Sequence, residues 1–386
     1  MARGKPRDWI EVAVGQACSI RNDLRLPISK EERAGMSGRY PYYGPTGELD
    51  RLSEYRLEGT FALIGEDGDH FLDVENKPQT LLVSGRFNVN NHAHVIASTD
   101  ACSAEWFFNY FRHRSLVSSL TRQGAGRYKL NKAALERLPI LLPPKAEQDA
   151  INSLIREWDR AIDASEELIA AREKRHRWLL QQLIEHKAAR AHWETQELSA
   201  LILERSERST GHDEHPVLTS SRRGLFLQSE YFSKQVTSQD NTGYKIMRRG
   251  DFTFRSMSDD GRFVFNRLEK YDTGIISPAY GVFYAKEVCP EFLTHFLNSS
   301  YFAQLLARET QGGTRKALRF SALAGMEVDL PKRTDQEWIA SILDESRREI
   351  GLLQMQLEML RRQKRGLMQK LLTGDWRVPV TEAEVA

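Results

Sequence analysis

Two short loops hold the side chains best suited to meeting a polyanion. They are Arg122-Gln-Gly-Ala-Gly-Arg-Tyr-Lys129, and Gln311-Gly-Gly-Thr-Arg-Lys316 with Arg319 close behind. Glycines let a backbone approach closely, and Arg or Lys can neutralise a phosphate or grip guanine O6 and N7 with two hydrogen bonds. Gln123, Arg127 and Lys129 in the first loop, and Gln311, Arg315, Lys316 and Arg319 in the second, are therefore candidate DNA contacts. The pattern is common to both loops, so it suits backbone positioning better than the reading of different bases. Candidates for base reading are segments that differ: Arg39, Tyr42 and Tyr43 in Arg39-Tyr-Pro-Tyr-Tyr43, and Arg222 and Arg223 in Ser220-Ser-Arg-Arg223, with Arg255. A plain surface loop remains the alternative for each of these.

Other constellations carry weaker chemistry. Asp67, Asp69 and Glu75-Asn-Lys77 resemble a nuclease Asp…Glu-x-Lys cluster, but at short spacing within a Gly/Asp turn region. His212 and His215 sit in a Gly/Ser/Thr-rich loop with no thiol or third histidine near, so a solvated loop is expected there and no metal site. Asn90-Asn-His-Ala-His94 reads as a structural turn or a polar loop. Leu142-Pro-Pro-Lys145 has the prolines of an adenine methyltransferase motif without its amide or aromatic residue, and no Walker A string occurs. No catalytic, cofactor or metal residue is assigned.

The elements that must position these loops repeat. Leu142-Pro143-Pro144 with Gln148, Ile151 and Ile155 recurs, at one constant offset, as Leu330-Pro331-Lys332 with Gln336, Ile339 and Leu343. The match extends from Gln123-Gly124 against Gln311-Gly312 to Leu179-Leu180-Gln181 against Leu367-Met368-Gln369 without a gap. Two copies of so long a period imply two domains, each followed by a helix. Steps of four and three pick out Ile151, Ile155, Trp158, Ile162, Ile169, Leu179 and Leu183, with Ser165, Arg172 and His176 between them. The copy holds Ile339, Leu343, Ile350, Leu353, Leu357, Leu360, Leu367 and Leu371, with Ser346 and Lys364. A mean period of 3.5 is a coiled-coil seam. Charged residues fill the remaining positions, which leaves apolar surface for one or two partners only. Thr334 and Glu337 predict a capping box at the second helix start.

The heads, residues 1–142 and 191–330, read as mixed α/β. Strand-like runs are Thr60–Ile64, Gln79–Val83, Asn91–Ile96, Asp251–Arg255, Arg262–Phe265 and Gly281–Ala285. Each head ends in an aromatic helix, 104–111 and 291–297. Trp9, Trp193 and Trp376 recur at similar spacing, so the tail imitates the start of a further copy. The expected segments are head 1–142, helix 143–190, head 191–330, helix 331–376 and tail 377–386.

Bulk properties bound the function. The chain has 386 residues, 40% hydrophobic and 28% charged, with a net charge of +2. A nucleic-acid role then requires local basic patches or partners. Three widely spaced cysteines fit a reducing cytoplasm, and neither a signal peptide nor a membrane span is expected.

With these strings together, the chain resembles the specificity subunits of type I restriction–modification enzymes over nearly its full length. The helical repeats carry the likeness, especially Leu142-Pro-Pro-Lys-Ala-Glu-Gln148 and Lys364-Arg-Gly-Leu-Met-Gln-Lys-Leu-Leu-Thr-Gly374. Tyr42-Tyr-Gly-Pro-Thr-Gly47, Gly65-Glu-Asp-Gly68, Arg249-Gly-Asp-Phe252 and Ile276-Ser-Pro-Ala-Tyr280 add to it. The resemblance implies an α+β fold: two pseudo-repeated α/β target recognition domains separated by two long helices that form an antiparallel coiled coil. It implies that each domain reads half of a bipartite double-stranded DNA target and that the helices set the gap. It also implies two methyltransferase (modification) subunits docked on the helices, joined by restriction/translocase subunits. S-adenosylmethionine would then belong to the methyltransferase partner, ATP and magnesium to the restriction partner, and no cofactor to this chain. Pro144 becomes Lys332 and Trp178 becomes Gly366 in the second copy, so the two docking sites need not be identical. The competing readings are a coiled-coil adaptor, which would protect no DNA, and a self-contained DNA methyltransferase, which would transfer methyl groups alone.

Overall fold

A computed structural model describes residues 6–74, 77–123, 127–231, 240–309 and 316–379, without the side chains of residues 122, 123 and 127. The chain divides into two units, residues 1–165 with 356–386, and residues 166–355.

The first unit is built on a six-stranded sheet ordered Ser19–Ile20, Ala93–Ala97, Leu57–Gly65, Thr80–Val89, Ser37–Tyr43 and Glu48–Leu52. Strand alternation divides its side chains between two cores. Ala62 and Ile64 face the aromatic helix Ala104–Phe111, whereas Leu57 and Leu63 join Phe87 and Val89 on the other face. Trp106, Phe107 and Phe111 of that helix are fully buried, and they share their core with Ile151, Ile155, Met368 and Leu371 of the long helices. Ser103 caps the helix by accepting a hydrogen bond from the Trp106 amide.

The second unit has two four-stranded sheets in place of one. The first is ordered Ile202–Glu204, Tyr280–Ala285, Phe252–Arg255, Asn266–Arg267; the second Gly224–Leu227, Val217–Ser221, Thr273–Ile276, Lys245–Arg248. Phe252 and Phe283 stack with centroids 5.2 Å apart beneath the aromatic helix Pro290–Leu297. The strand expected at Arg262–Phe265 is absent. There the Asn298 side chain takes the place of a neighbouring strand, accepting from the Phe265 amide at 3.0 Å and donating to its carbonyl at 2.8 Å.

Each head is closed at its base by one antiparallel ribbon. Ile10–Ala13 pairs with Pro139–Leu142, and Glu194–Glu197 pairs with Glu327–Leu330, the second partner strand standing at the repeat offset from the first. A glutamine then fixes each long helix to its head. Gln148 Oε1 accepts from the Ser103 amide at 3.2 Å, and Gln336 Oε1 accepts from the Cys289 amide at 2.9 Å. Each side-chain amide also donates to a proline carbonyl just upstream, Pro143 or Pro331.

The long helices, Lys145–Leu180 (extended by a π turn, Gln181–Glu185) and Arg333–Leu372, are antiparallel. In the first unit, Asp159 receives Lys364 and Arg112. In the second, Arg172 pairs with Glu349 at 2.8 Å, and His176 Nδ1 lies 3.1 Å from Ser346 Oγ. All seam positions on both helices are buried or half-buried. The capping box does not form: the helix begins at Arg333, ahead of Thr334, and Glu337 accepts from Arg333 at 2.8 Å.

The three tryptophans are not equivalent. Trp9 is buried and donates to Glu147 Oε2, Trp193 packs edge-on against Phe292, and Trp376 is exposed. Next to Trp376, Arg377 bonds Glu147 and Asp8, so the tail returns to the start of the first unit's own head.

Candidate nucleic-acid interface

Both glycine-rich loops are anchored by a leucine peg. After the first loop the Leu130 amide donates to the Glu66 carbonyl at 2.7 Å; after the second the Leu318 amide donates to the Ser256 carbonyl at 2.9 Å. Leu130 and Leu318, separated by the repeat offset, are fully buried. The strands beside them differ. Thr121–Gln123 pairs with Arg127–Lys129 as a hairpin, whereas Lys316–Ala317 pairs with Met257–Ser258. The side chains of Gln123 and Arg127, and Gln311 and Arg315 entirely, lie outside the described residues.

In the first unit the charge at this anchor is largely neutralised. Lys129 is not a free phosphate ligand: its ammonium pairs with Glu66 at 3.2 Å, and Arg25 holds the same carboxylate at 2.6 Å. Burial pushes Glu66 up, but Arg25, His94 and Lys129 together hold it below the usual carboxylate range. His94 closes the cluster. Its Nε2 donates to the Leu130 carbonyl at 2.7 Å, and its Nδ1 accepts from Asn22 at 2.9 Å. That pair of bonds needs a neutral ring, and burial, the main influence, lowers its pKa. The Asn90–His94 string is thus a structural support of the loop.

Tyr42 cannot contact DNA. It is 1% exposed, and its hydroxyl donates to the Leu26 carbonyl at 2.8 Å. Tyr43 is half-buried, edge-on to Phe87. Arg39 is exposed and lies over Tyr40, whose ring packs on Tyr55, which lies under Arg86. This row of alternating cations and rings joins separate strands, so apart from Arg39 it had no signature in the sequence.

The second unit leaves its cations freer. Arg255, Arg262 and Arg319 are exposed and have no acidic partner among the described residues. The Lys316 stem lies 2.7 Å from where a β-carbon on Gly261 would stand, at a φ of +74° that already favours glycine. Arg222 is engaged, its guanidinium 2.5 Å from Asp260. That bond is the main cause holding the Asp260 carboxyl down at about 2. Arg223 is exposed above the Tyr231 ring. Arg262 was missed by sequence reasoning because its segment read as a strand.

Among the described residues no group of three or more His, Cys, Asp or Glu could hold a metal ion. His212 lies beside Asp213 at 3.2 Å, and Asp67 beside His92 at 3.1 Å. Of the suggested nuclease cluster, Glu75 and Asn76 lie outside the described residues. No helix among those residues is long and apolar enough to cross a membrane.

Residues 6–173 match the family model described as the type I restriction modification DNA specificity domain. A putative type I restriction enzyme specificity subunit from Haemophilus influenzae is 26% identical over 362 residues, covering 89% of this chain and 88% of the relative. The MjaVIII specificity subunit from Methanocaldococcus jannaschii is 22% identical, covering 97% and 94%. The fold is similar to a crystal structure of the type I restriction–modification S subunit from M. genitalium, with a TM-score of 0.57 at 12% identity and 97% of each chain covered. Family model, relatives matched over most of their length, and fold agree: the chain is similar over nearly its full length to the specificity subunits of type I restriction–modification enzymes.

Proposed function

We propose that each head reads one half of a bipartite duplex target, and that the subunit contributes recognition and assembly while its partners contribute catalysis. The observation that carries this reading is the duplicated anchor. The same buried leucine peg follows a Gln-Gly string on two heads whose neighbouring surfaces differ in charge and in sheet construction. A common support with divergent surroundings suits two readers of two different sequences. Gln123, Arg127, Gln311, Arg315, Lys316 and Arg319 are assigned to backbone contact, and Arg39 and Arg255 to base reading.

The helices support a docking role. In the first unit Asn152, Arg156 and Asp159 meet the head through Asn109, Glu105 and Arg112. In the second, Asp344 meets His295. On the same helices Leu154 and Met359 stay exposed in the first unit. Leu168, Trp178, Trp338 and Leu352 do so in the second unit, and the six are 37–61% exposed. Large apolar side chains left exposed on charged helices mark an interaction surface. It is assigned here to two methyltransferase subunits that bring S-adenosylmethionine, with restriction subunits using ATP and magnesium joining that assembly.

The test is to reconstitute the chain with its methyltransferase and footprint a random duplex library. Two short protected patches at a fixed separation are expected, with methylated adenines inside them. A single patch, or none, rejects the bipartite reading. Trp338→Glu with Leu352→Glu should abolish methyltransferase capture without lowering the melting temperature; undiminished capture would move docking off these residues.

A further inference from the structure

The second unit holds a basic cleft beside its hairpin turn. About 490 Å³ in volume, it lies between the Arg222–Gly224 hairpin turn, the segment 264–271 and the second long helix. Arg222, Arg223, Arg267, Lys270 and Arg347 line it, against a single carboxylate, Glu269. Two of the cations are neutralised: Arg222 by Asp260, and Arg267 by Glu269 and Glu291. Lys270 is held only loosely, 3.9 Å from Glu230, and both side chains are more than half exposed. Arg223 and Arg347 have no carboxylate partner among the described residues.

Two unpaired cations, Arg223 and Arg347, and the loosely paired Lys270 thus come from three separate elements along an open cleft. Apolar walls (Leu225, Phe265, Leu268) lower the local dielectric and strengthen the field between them. Cations spread along a groove match a chain of phosphates better than one small anion. The cleft is continuous with the loop site through Arg222, whose partner Asp260 precedes Gly261, the residue against which Lys316 packs.

We propose that this cleft takes the phosphodiester backbone of the DNA strand flanking the second half-site, with Arg347 on the long helix as its outermost contact. The proposal rests on the DNA-reading function above. It makes backbone contact lopsided: one repeat earlier, Arg347 corresponds to Asp159, an acid engaged by Lys364 and Arg112.

The experiment measures binding of the full chain in its methyltransferase complex to a cognate duplex across a salt series. Each neutralised phosphate contributes about 0.9 to the salt slope. For Arg347→Gln the affinity advantage of the unsubstituted protein should therefore shrink about threefold between roughly 50 and 200 mM salt, with unchanged base preference. Lys270→Ala should do the same, whereas Arg348→Gln, on the same helix but outside the cleft, should leave the slope as it was. If the unsubstituted complex binds cognate DNA and both cleft variants keep its slope, the cleft proposal is overturned and the reading of function stands. If the unsubstituted complex shows no bipartite preference, the functional reading fails first. A free nucleotide saturating the cleft, lost in Arg347→Gln while DNA binding is unaffected, would overturn the proposal in favour of a small-molecule site.

Discussion

The two units grip their helices alike and present different surfaces. The ribbon, the glutamine and the leucine peg recur at the repeat offset, and all act on main-chain atoms. Away from them the chemistry diverges. Lys129 is held by Glu66 in the first unit, whereas the corresponding strand end in the second carries Ser256 beside a free Arg255. At the helix joint, Lys364–Asp159–Arg112 in one unit stands against His176–Ser346 and His295–Asp344 in the other. Where duplication has kept a shape, it has kept backbone hydrogen bonds and buried apolar pegs; where a partner or solvent is met, side chains have been free to change.

The severest test of this comparison exchanges residues 1–142 for the head of another such subunit. One half of the recognised sequence should be replaced outright and the other left intact, read from the methylated sites. Changes in both halves would mean that the heads are not independent readers.

Next in size is the helix joint. Asp159→Ala leaves the Lys364 ammonium, whose side chain is 7% exposed, without its carboxylate. Breaking a fully buried pair costs about 3–5 kcal/mol. Asp159 is one-third exposed, so a loss of about 2 kcal/mol in chemical unfolding is expected. Arg347→Ala, the same repeat position in the second unit, should stay within about 0.5 kcal/mol. Equal losses would erase the contrast between the joints.

The joints should also part company with pH. Burial, reinforced by His295 and nearby arginines, brings His176 down to about 4 from an ordinary 6.5. Burial likewise lowers His295, against the pull of Asp344. His176 stays neutral in the fold over that range, so the unfolded chain binds the extra proton. Stability therefore falls as pH drops from 6.5 towards 4, with His295 shifted in the same direction. The His176 contribution is about 2 kcal/mol once the screening of a half-buried ring is allowed for. Asp159, which burial pushes up but Arg112 and Lys364 hold below its ordinary 3.8, keeps its stabilisation until pH falls below that value. Unfolding of His176→Gln should therefore be flatter between pH 6.5 and 4, and an unchanged profile would assign the acid sensitivity elsewhere.

The smallest effects concern the loops. Glu66→Gln should free Lys129 and raise the salt slope of DNA binding by about one ion. Arg127→Ala and Arg315→Ala should each lower it similarly for every sequence. Loss of discrimination at one base pair in any of these would reassign that residue to base reading.

What the sequence made legible is what periodicity controls. Apolar spacing identifies the seam and the aromatic helices, because burial follows helical period. Tyr42 was misplaced because Ser37–Tyr43 carries register irregularities on either side of it, and these decide which rings turn inward. Asn298 standing in for a strand at Phe265, and Glu66 reaching Lys129 from far upstream, are contacts between distant segments. Such pairings leave no local pattern, so the charge state of the candidate interface emerged only with the fold.

The glutamine at the start of each long helix has a genetic corollary. Gln148 and Gln336 recognise the head through peptide groups, at Ser103 and Ala101 in one case and Cys289 in the other. The glutamine socket asks nothing of the incoming side chains, so an insert of the same backbone shape need keep only the few head side chains that meet the helix, such as Asn109 and Arg112. Crossovers just upstream of Leu142-Pro143 or Leu330-Pro331 would therefore deliver a new reader already seated, and a lineage can trade one word of its DNA vocabulary without relearning the other.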